Sequence, residues 1–219
     1  MKNYSFCIGI PTINRADLLE ESLTQLAKTY PDIMVLVIDN GAQSIENIGE
    51  KTGHKNVVVF TSESNLGVSG SWNRMSVDAF SRGYDAIWIA NDDIVLGSHQ
   101  DEMESFVLDA VSRNKFVVQE GTWCSFILPK KVFQNVGLFD EDFFPAYFED
   151  NDYAYRLKLS HNPHEVNSIL NPIVYRNSQT IAKDPSLNTR FILNKQRFIA
   201  KWGGEPSHES FVTPFNKSI

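Results

Sequence analysis

Short apolar runs alternate with amphipathic segments along the first half of the chain. Four runs rich in β-branched residues predict strands, over 4–10, 33–40, 56–62 and 84–92. Helical spacing of apolar residues between them predicts helices, over 14–30 with Asn14 as its N-cap, 68–82 and 98–113. Strands that are apolar on both faces and separated by helices are typical of a mostly parallel sheet covered on both sides.

The second half is less regular and richer in aromatic residues. It predicts a strand, a short helix near 130–136, an aromatic loop, a helix from about 149 and a C-terminal helix over about 187–201. Gly203 or Gly204 can end the last helix in a left-handed conformation. We expect this half to form a lobe folded over the open edge of the first.

Length and composition favour one soluble domain. A chain of 219 residues can bury one substantial core, and no apolar run approaches the roughly 20 residues of a membrane span. The first residues show no secretory signal pattern, so we expect a cytoplasmic protein. Cys7 and Cys124 lie in apolar segments and are expected in the core. The net charge of −7 disfavours broad adhesion to nucleic acid or anionic lipid.

Polar residues follow three of the predicted strands, where ligands bind in sheets of this type. Thr12 follows the first strand, Asp39 and Asn40 the second, and Asn91 to Asp93 the fourth. The adjacent carboxylates of Asp92 and Asp93 suit a hard divalent cation that bridges phosphate oxygens. Two simpler interpretations stay open: an Asp capping the next helix, and a plain Asn-Gly turn after Asp39.

A second acidic group, Glu149, Asp150 and Asp152, opens a predicted helix after the aromatic segment 143–148. Acids at a helix N-terminus can simply stabilise the helix dipole. A carboxylate beside aromatic surface can also acquire a raised pKa suited to accepting a proton. Gly67 and Gly70 flank another helix start, where backbone N–H groups could face an anion.

Taken in order, these segments resemble family 2 glycosyltransferases of the GT-A fold. The motifs are "IPTINR" (10–15), "VIDNG" (37–41), "SNLGVSGSWN" (64–73), "IANDD" (89–93), "GLFDEDFFPAYFEDNDYAYR" (137–156) and "KWGG" (201–204). The resemblance implies an α/β, Rossmann-like GT-A domain over 1–219, with a mostly parallel central sheet flanked by helices. Residues 1–97 would bind the nucleotide sugar, and 98–219 would form a smaller acceptor-side lobe.

The resemblance also assigns roles to individual residues. Donor-binding positions would be Pro11, Thr12, Arg15, Asp39, Asn40, Asn65, Gly67, Asn73, Asn91 and Asp92. Asp93, helped by Asp92, would hold Mn²⁺ or Mg²⁺, although Asn91 stands where the family usually has a first acid. Asp150 would be the catalytic base, with Glu149 beside it.

Arg176 occupies the position of a histidine that often completes the metal site in the family. Arginine cannot bind a cation but can pair with diphosphate oxygens. We hypothesise that Arg176, with Lys183 as a helper, neutralises the leaving group; a surface arginine is the alternative. Trp123, Tyr147 and Trp202 are candidate acceptor-binding residues, although Trp202 could instead pack its helix onto the core.

The expected function is therefore inverting transfer of a sugar from a nucleoside-diphosphate sugar, with UDP favoured, to a hydroxyl acceptor. A glycan acceptor is the default, and protein or nucleic-acid acceptors stay open, the latter disfavoured by charge. A noncatalytic nucleotide-sugar-binding protein is the main alternative. A dehydrogenase or a nucleotidyltransferase would need glycine-rich loops that the sequence lacks.

Overall fold

The computed structural model describes residues 4–41, 43–95, 100–119, 122–167, 174–175 and 185–217. Its strands are Phe6–Thr12 (β1), Val35–Asp39 (β2), Val57–Thr61 (β3), Ala86–Ala90 (β4), Ile94–Val95 (β5), Val117–Gln119 (β6), Ser125–Pro129 (β7), Glu165–Asn167 (β8) and Val174–Tyr175 (β9). Its α-helices are Ala16–Thr29 (α1), Ile48–Thr52 (α2), Gly67–Ser81 (α3), Gln100–Arg113 (α4), Lys130–Val136 (α5), Glu149–Leu159 (α6) and Phe191–Trp202 (α7). Two 3₁₀ helices cover Pro185–Arg190 and Pro214–Asn216.

Seven strands form one mixed, mostly parallel sheet in the order β3–β2–β1–β4–β7–β6–β8. Strands β1 to β4 are mutually parallel. Strand β7 pairs antiparallel with both β4 and β6, and β8 runs parallel to β6. The predicted fold class is thus confirmed. The second half of the chain continues the sheet beside β4 rather than only covering its edge.

Apolar side chains on both faces of the central strands explain why helices cover both sides. One face carries Trp88 and the Ile8–Val35 pair against α1 and α4, through Leu23 and Val107. The other face packs against α3, α5 and α6. Burial of these apolar surfaces is the main driving force for this layered arrangement.

A third apolar cluster lies between α6 and α7. Its buried members are Phe143, Phe148, Tyr155, Phe198 and Trp202. This cluster attaches the C-terminal helix to the segment that contains the second acidic group.

The predicted elements of the first half agree with the structure to within about two residues at each end. The predicted N-cap is wrong: Arg15 occupies that position, no side chain caps α1, and Asn14 has a φ of 54°. The short elements α2, β5 and β9 were not predicted, because two to five residues carry too little periodicity. Within the described residues, no helix has both the length and the apolar character needed to cross a bilayer.

Candidate active site at the carboxyl ends of the parallel strands

The polar ends of the parallel strands lie side by side. Thr12 pairs in register with Asp39, and Asp39 with Thr61. The Thr12 hydroxyl donates a hydrogen bond of 2.7 Å to Asp92 Oδ2 in the loop after β4. The register of the sheet therefore brings together residues that are far apart in sequence, as expected for a ligand site at a parallel sheet edge.

Asp92 and Asp93 are buried side by side, 6% and 5% exposed. Burial raises the pKa of Asp92 to about 7, the hydrogen bond from Thr12 opposes this rise, and the neighbouring Asp93 carboxylate adds to it. The guanidinium of Arg15 also lies near both acids, although its hydrogen bonds of 2.9 and 2.8 Å go to Asp17. A pair of buried like charges is a place where a cation would be stabilised.

The residues beside the pair are also in place. Asn91 is half-buried, and its N–H donates to Cys124 O at 2.9 Å. Pro11 is half-buried within β1, opposite Ile38 of β2. The Ser22 hydroxyl of α1 donates to the carbonyl of Asp92 at 3.0 Å, which fixes the backbone of the acidic loop.

Asp39 and Asn40 organise the loop after β2. The buried Asp39 carboxylate accepts hydrogen bonds from the N–H groups of Gly41 and Gln43, at 2.9 and 2.8 Å. The Asn40 side chain donates to Ser71 Oγ at 2.8 Å and accepts from the Leu66 N–H at 3.0 Å. Asn40 thereby joins the end of β2 to the start of α3.

Backbone N–H groups at the start of α3 already have protein acceptors. The Gly67 N–H donates to Asn65 Oδ1 at 2.8 Å, and the Val68 N–H donates to the Pro145 carbonyl at 2.8 Å. The anion-facing role expected for this turn does not fit these bonds. Gly67 is required for another reason: its φ is +70°, and a Cβ there would lie 2.8 Å from Pro145 O.

Asn73 supports the segment before the second acidic group. Its amide donates to Phe139 O at 2.9 Å and to Glu141 Oε1 at 2.8 Å, and its oxygen accepts from the Phe139 N–H at 2.8 Å. Both amide N–H groups are therefore used within the protein. Contact of this side chain with a nucleotide, which the resemblance implied, does not fit this arrangement.

The second acidic group follows a turn with unusual backbone angles. Tyr147 and Phe148 have φ values of 78° and 72°, directly before α6. Non-glycine residues are strained there, and such strain is concentrated at functional sites. This turn fixes the direction in which the first residues of α6 leave the aromatic segment.

Glu149 and Asp150 have different surroundings. Glu149 is buried, its Oε2 has no hydrogen-bond partner within the described residues, and burial raises its pKa well above the usual value. Asp150 is half-buried, and desolvation raises its pKa in spite of the hydrogen bond from the Asn151 N–H at 2.8 Å. A half-exposed carboxylate with a raised pKa can both reach a ligand and accept a proton.

The three candidate acceptor-binding residues have different environments. Trp202 is 1% exposed, and its indole N–H donates to Asp152 Oδ1 at 2.8 Å. An acceptor-binding role for Trp202 is therefore wrong, because the ring packs the C-terminal helix onto the core. Trp123 is half-buried against Phe116. Tyr147 is half-buried, with its hydroxyl hydrogen-bonded to the Asn188 side chain.

Arg176 and Lys183 lie outside the described residues, so their predicted role stays a prediction. Within the part of the chain that the structure describes, no three His, Cys, Asp or Glu side chains meet in a ready metal cluster. Asp92 and Asp93 thus supply a partial ligand set, which a substrate could complete.

Sequence reasoning missed a buried ionic network behind α6. Lys201 Nζ lies 2.5 Å from Asp152 Oδ1 and 2.7 Å from Asp140 Oδ2. Arg156 Nε lies 2.9 Å from Asp152 Oδ2. The only signal in the sequence was the lysine of "KWGG", and nothing local indicates that it pairs with an acid some fifty positions earlier.

Comparison with known proteins is consistent with this site. Residues 7–109 match the family model described as Glycosyl transferase family 2. This range is just under half of the chain, and within it the chain is similar to the family. The match covers β1 to β4 and the acidic pair at 92–93, but not the second acidic group at the start of α6. The resemblance drawn from the motifs is confirmed. No curated protein matches the chain.

Solved structures of similar fold are glycosyltransferases. TarS of S. aureus has a TM-score of 0.59 at 16% identity, over 75% of this chain and 35% of TarS. A shorter form, TarS 1–349 in complex with UDP, has a TM-score of 0.59 at 14% identity, over 75% and 58%. Glucosyl-3-phosphoglycerate synthase from Mycobacterium tuberculosis, with Mn²⁺, UDP-glucose and phosphoglyceric acid, has a TM-score of 0.57 at 12% identity, over 90% and 79%.

This chain spans about a third of TarS and under three fifths of TarS 1–349. At these identities the likeness shows the GT-A fold alone.

Proposed function

We propose that this protein transfers a sugar from a nucleoside-diphosphate sugar, with UDP as the favoured nucleotide, to a hydroxyl acceptor. The observation that supports this proposal most directly is the buried Asp92–Asp93 pair at the carboxyl ends of the parallel strands, within the range that matches the family 2 model. Structures of similar fold with UDP or UDP-glucose and Mn²⁺ add support for the donor class.

The donor would lie across the ends of β1, β2 and β4. Pro11, Thr12 and Arg15 would border the nucleotide, and Asn65 and Asn91 would lie near the diphosphate and sugar. Asp39 is 0% exposed and bound to the Gly41 and Gln43 N–H groups, so it would hold the loop beside the base rather than contact the base itself. The positive charge of Arg15 near Asp92 and Asp93 adds to the attraction for phosphate oxygens.

A divalent cation fits the acidic pair. The two buried carboxylates are oxygen ligands, and a cation beside them would offset the burial and, to a smaller extent, the Asp93 charge that raise the pKa of Asp92. Mg²⁺ and Mn²⁺ sites of this kind use one or two carboxylates and take further ligands from substrate phosphates and water. Asp93 and Asp92 would hold the ion, and it would stabilise the charge that develops on the leaving diphosphate.

The two acids at the start of α6 would have separate tasks. Asp150, half-buried with a raised pKa, would accept the proton of the acceptor hydroxyl. The hydroxyl oxygen would then form a bond to the anomeric carbon while the bond from that carbon to the diphosphate breaks. One displacement inverts the anomeric configuration. Glu149 is too buried for this task and would support the turn.

Hydrogen bonds connect the strand ends that would hold the donor to residues 145–150, the segment that leads into the second acidic group and is called the acid turn below. Asn40 at the end of β2 binds the Leu66 N–H and Ser71 of α3. In the first turn of α3, the Val68 N–H donates to the Pro145 carbonyl. The base is therefore attached through a short path to the strands that would hold the donor. Pre-set geometry of this kind accounts for much of an enzyme's rate advantage.

A ligand panel and two variants test the proposal. The protein is heated with UDP, dTDP or GDP, each with and without Mn²⁺, and a ligand at about 100 times its dissociation constant should stabilise it by about 2.7 kcal/mol. UDP release from UDP-glucose and UDP-GlcNAc is then measured at saturating donor. Asp150→Asn should abolish turnover without loss of UDP binding.

Two results would contradict the proposal. Binding without turnover on any donor would favour the noncatalytic nucleotide-sugar-binding alternative. Loss of turnover in Glu149→Gln but not in Asp150→Asn would reverse the assignment of the base. The acceptor, whether a glycan or another hydroxyl compound, and a cytoplasmic location stay predictions from the sequence.

A further inference from the structure

The C-terminal helix α7 contacts the acid turn and also the residues before and after it in the sequence. Lys201 of α7 bonds to Asp140 before the turn and to Asp152 after it, and Asn194 of α7 bonds to the turn itself. We propose that Lys201 and Asn194 are positioning residues that hold Asp150 in its working place. This inference rests on the proposed function, because it assumes that Asp150 is the base.

The Lys201 ammonium group bridges the two carboxylates at the ends of the segment 140–152. It lies 2.5 Å from Asp152 Oδ1 and 2.7 Å from Asp140 Oδ2, and the lysine is 6% exposed. Because the Lys201–Asp152 pair is shielded from water, its geometry is held far more firmly than that of a surface ion pair. Removing Lys201 would leave the buried Asp152 carboxylate with Arg156 as its cationic partner and without its link to Asp140.

The Asp152 carboxylate is held at both oxygens, two residues after Asp150. Besides Lys201, Oδ1 accepts the Trp202 indole N–H at 2.8 Å, and Oδ2 accepts from Arg156 Nε at 2.9 Å. The side chain is fully buried. Arg156 lies on α6 itself and orients the Asp152 carboxylate. The bonds from Lys201 and Trp202 of α7 are the ones that resist rotation of the first turn of α6, and they thereby set the direction of Asp150.

Asn194 holds the strained backbone directly before the acids. Its amide donates to the carbonyls of Ala146 at 2.8 Å and Tyr147 at 3.3 Å, and it is 4% exposed. Tyr147 and Phe148 are the two residues with positive φ. Strained conformations persist only where the surrounding structure fixes them, and Asn194 supplies hydrogen bonds that help to fix this one.

Turnover of UDP-sugar distinguishes positioning from plain stabilisation. Lys201→Met, Lys201→Arg and Asn194→Ala are compared with wild type, using whichever of UDP-glucose and UDP-GlcNAc the wild type turns over faster with Mn²⁺. We expect Lys201→Met and Asn194→Ala to lower kcat about 10-fold or more, as a small displacement of a reacting group does, with UDP affinity within about 3-fold of wild type. Lys201→Arg keeps the charge and should restore part of kcat.

Two controls separate the positioning effect from lost stability. Lys195 lies on α7, like Lys201, and forms a surface ion pair with Glu205. Lys195→Met removes this pair and should leave kcat unchanged. Val107→Ala destabilises the opposite face of the sheet. It should leave kcat unchanged at a temperature where all variants are folded. If Lys201→Met does not fold, Asn194→Ala and Lys201→Arg carry the test.

The outcomes separate this inference from the function on which it rests. If wild type turns over donor and both Lys201→Met and Asn194→Ala keep its kcat, the positioning role is wrong and the proposed function stands. If UDP affinity falls as much as kcat, the helix supports the whole fold and the inference is also wrong. If wild type neither binds UDP nor turns over donor, both fail together.

Discussion

Asn73 provides a test that separates a structural role from a nucleotide-binding one. Its amide satisfies both the N–H and the carbonyl of Phe139, at 2.8 and 2.9 Å, in a site where Asn73 is 4% and Phe139 2% exposed. In Asn73→Ala both backbone groups lose their partner. Each buried unsatisfied group costs about 1–3 kcal/mol, so we expect a loss of about 2–6 kcal/mol in the free energy of unfolding.

Urea unfolding and calorimetry of UDP binding measure the two quantities separately. For a chain of this size, at about 2–4 °C per kcal/mol, the expected loss lowers the melting temperature by roughly 4–24 °C. UDP affinity should stay within about 3-fold of wild type, since the Asn73 amide has no N–H left to donate. Asn47→Ala, at an exposed position, is the matched control and should change stability by less than about 0.5 kcal/mol. A stable Asn73→Ala with UDP affinity lowered about 10-fold would refute this reasoning and restore the nucleotide contact.

Three further results are expected. Thr12→Val removes the hydroxyl bonded to Asp92 and should weaken Mn²⁺-dependent UDP binding about 10-fold in calorimetry, whereas Thr12→Ser keeps the hydroxyl and should not. Equal UDP affinities of Thr12→Val and wild type would contradict the Thr12–Asp92 contact. Burial raises the pKa of Glu149, so its folded form binds the proton more tightly than the unfolded chain, and this stabilisation is lost as pH rises through the folded pKa. Glu149→Gln should thus gain melting temperature relative to wild type as the pH rises above the ordinary glutamate pKa of 4.5, and a constant difference would contradict this burial. Gly67→Ala, with φ of +70° and a Cβ 2.8 Å from Pro145 O, should lose about 2–4 kcal/mol in urea unfolding; a neutral result would mean that the Gly67–Pro145 approach is absent.

The sequence predicted the parallel half of the sheet because its signals are local. Runs such as 33–38 and the leucines of α1 carry the periodicity of a strand or helix within a few residues. The polar residues that end these strands, Thr12, Asp39 and Asp92, could be placed at one sheet edge from topology alone. Their hydrogen bond and register contacts depend on pairing that local patterns do not contain.

The roles of the supporting residues could not be predicted because they depend on distant partners. Asn73 and Gly67 belong to a motif that suggested nucleotide contact, yet their partners lie about seventy positions later, in the segment 139–145. The Lys201–Asp152 pair crosses a similar distance. The sequence left open whether Trp202 binds the acceptor or packs its helix onto the core, and its burial in the structure shows that it packs. Spacing in a sequence indicates which element a residue lies on, but only tertiary packing fixes what its polar atoms bind.

A crystal structure with UDP and Mn²⁺ tests the central claim most directly. We predict that the ion lies against Asp93 and Asp92 and binds the diphosphate, and that the Asp150 carboxylate opens onto the same cleft. Diphosphate bound elsewhere, or Asp150 pointing away from the occupied cleft, would contradict the account.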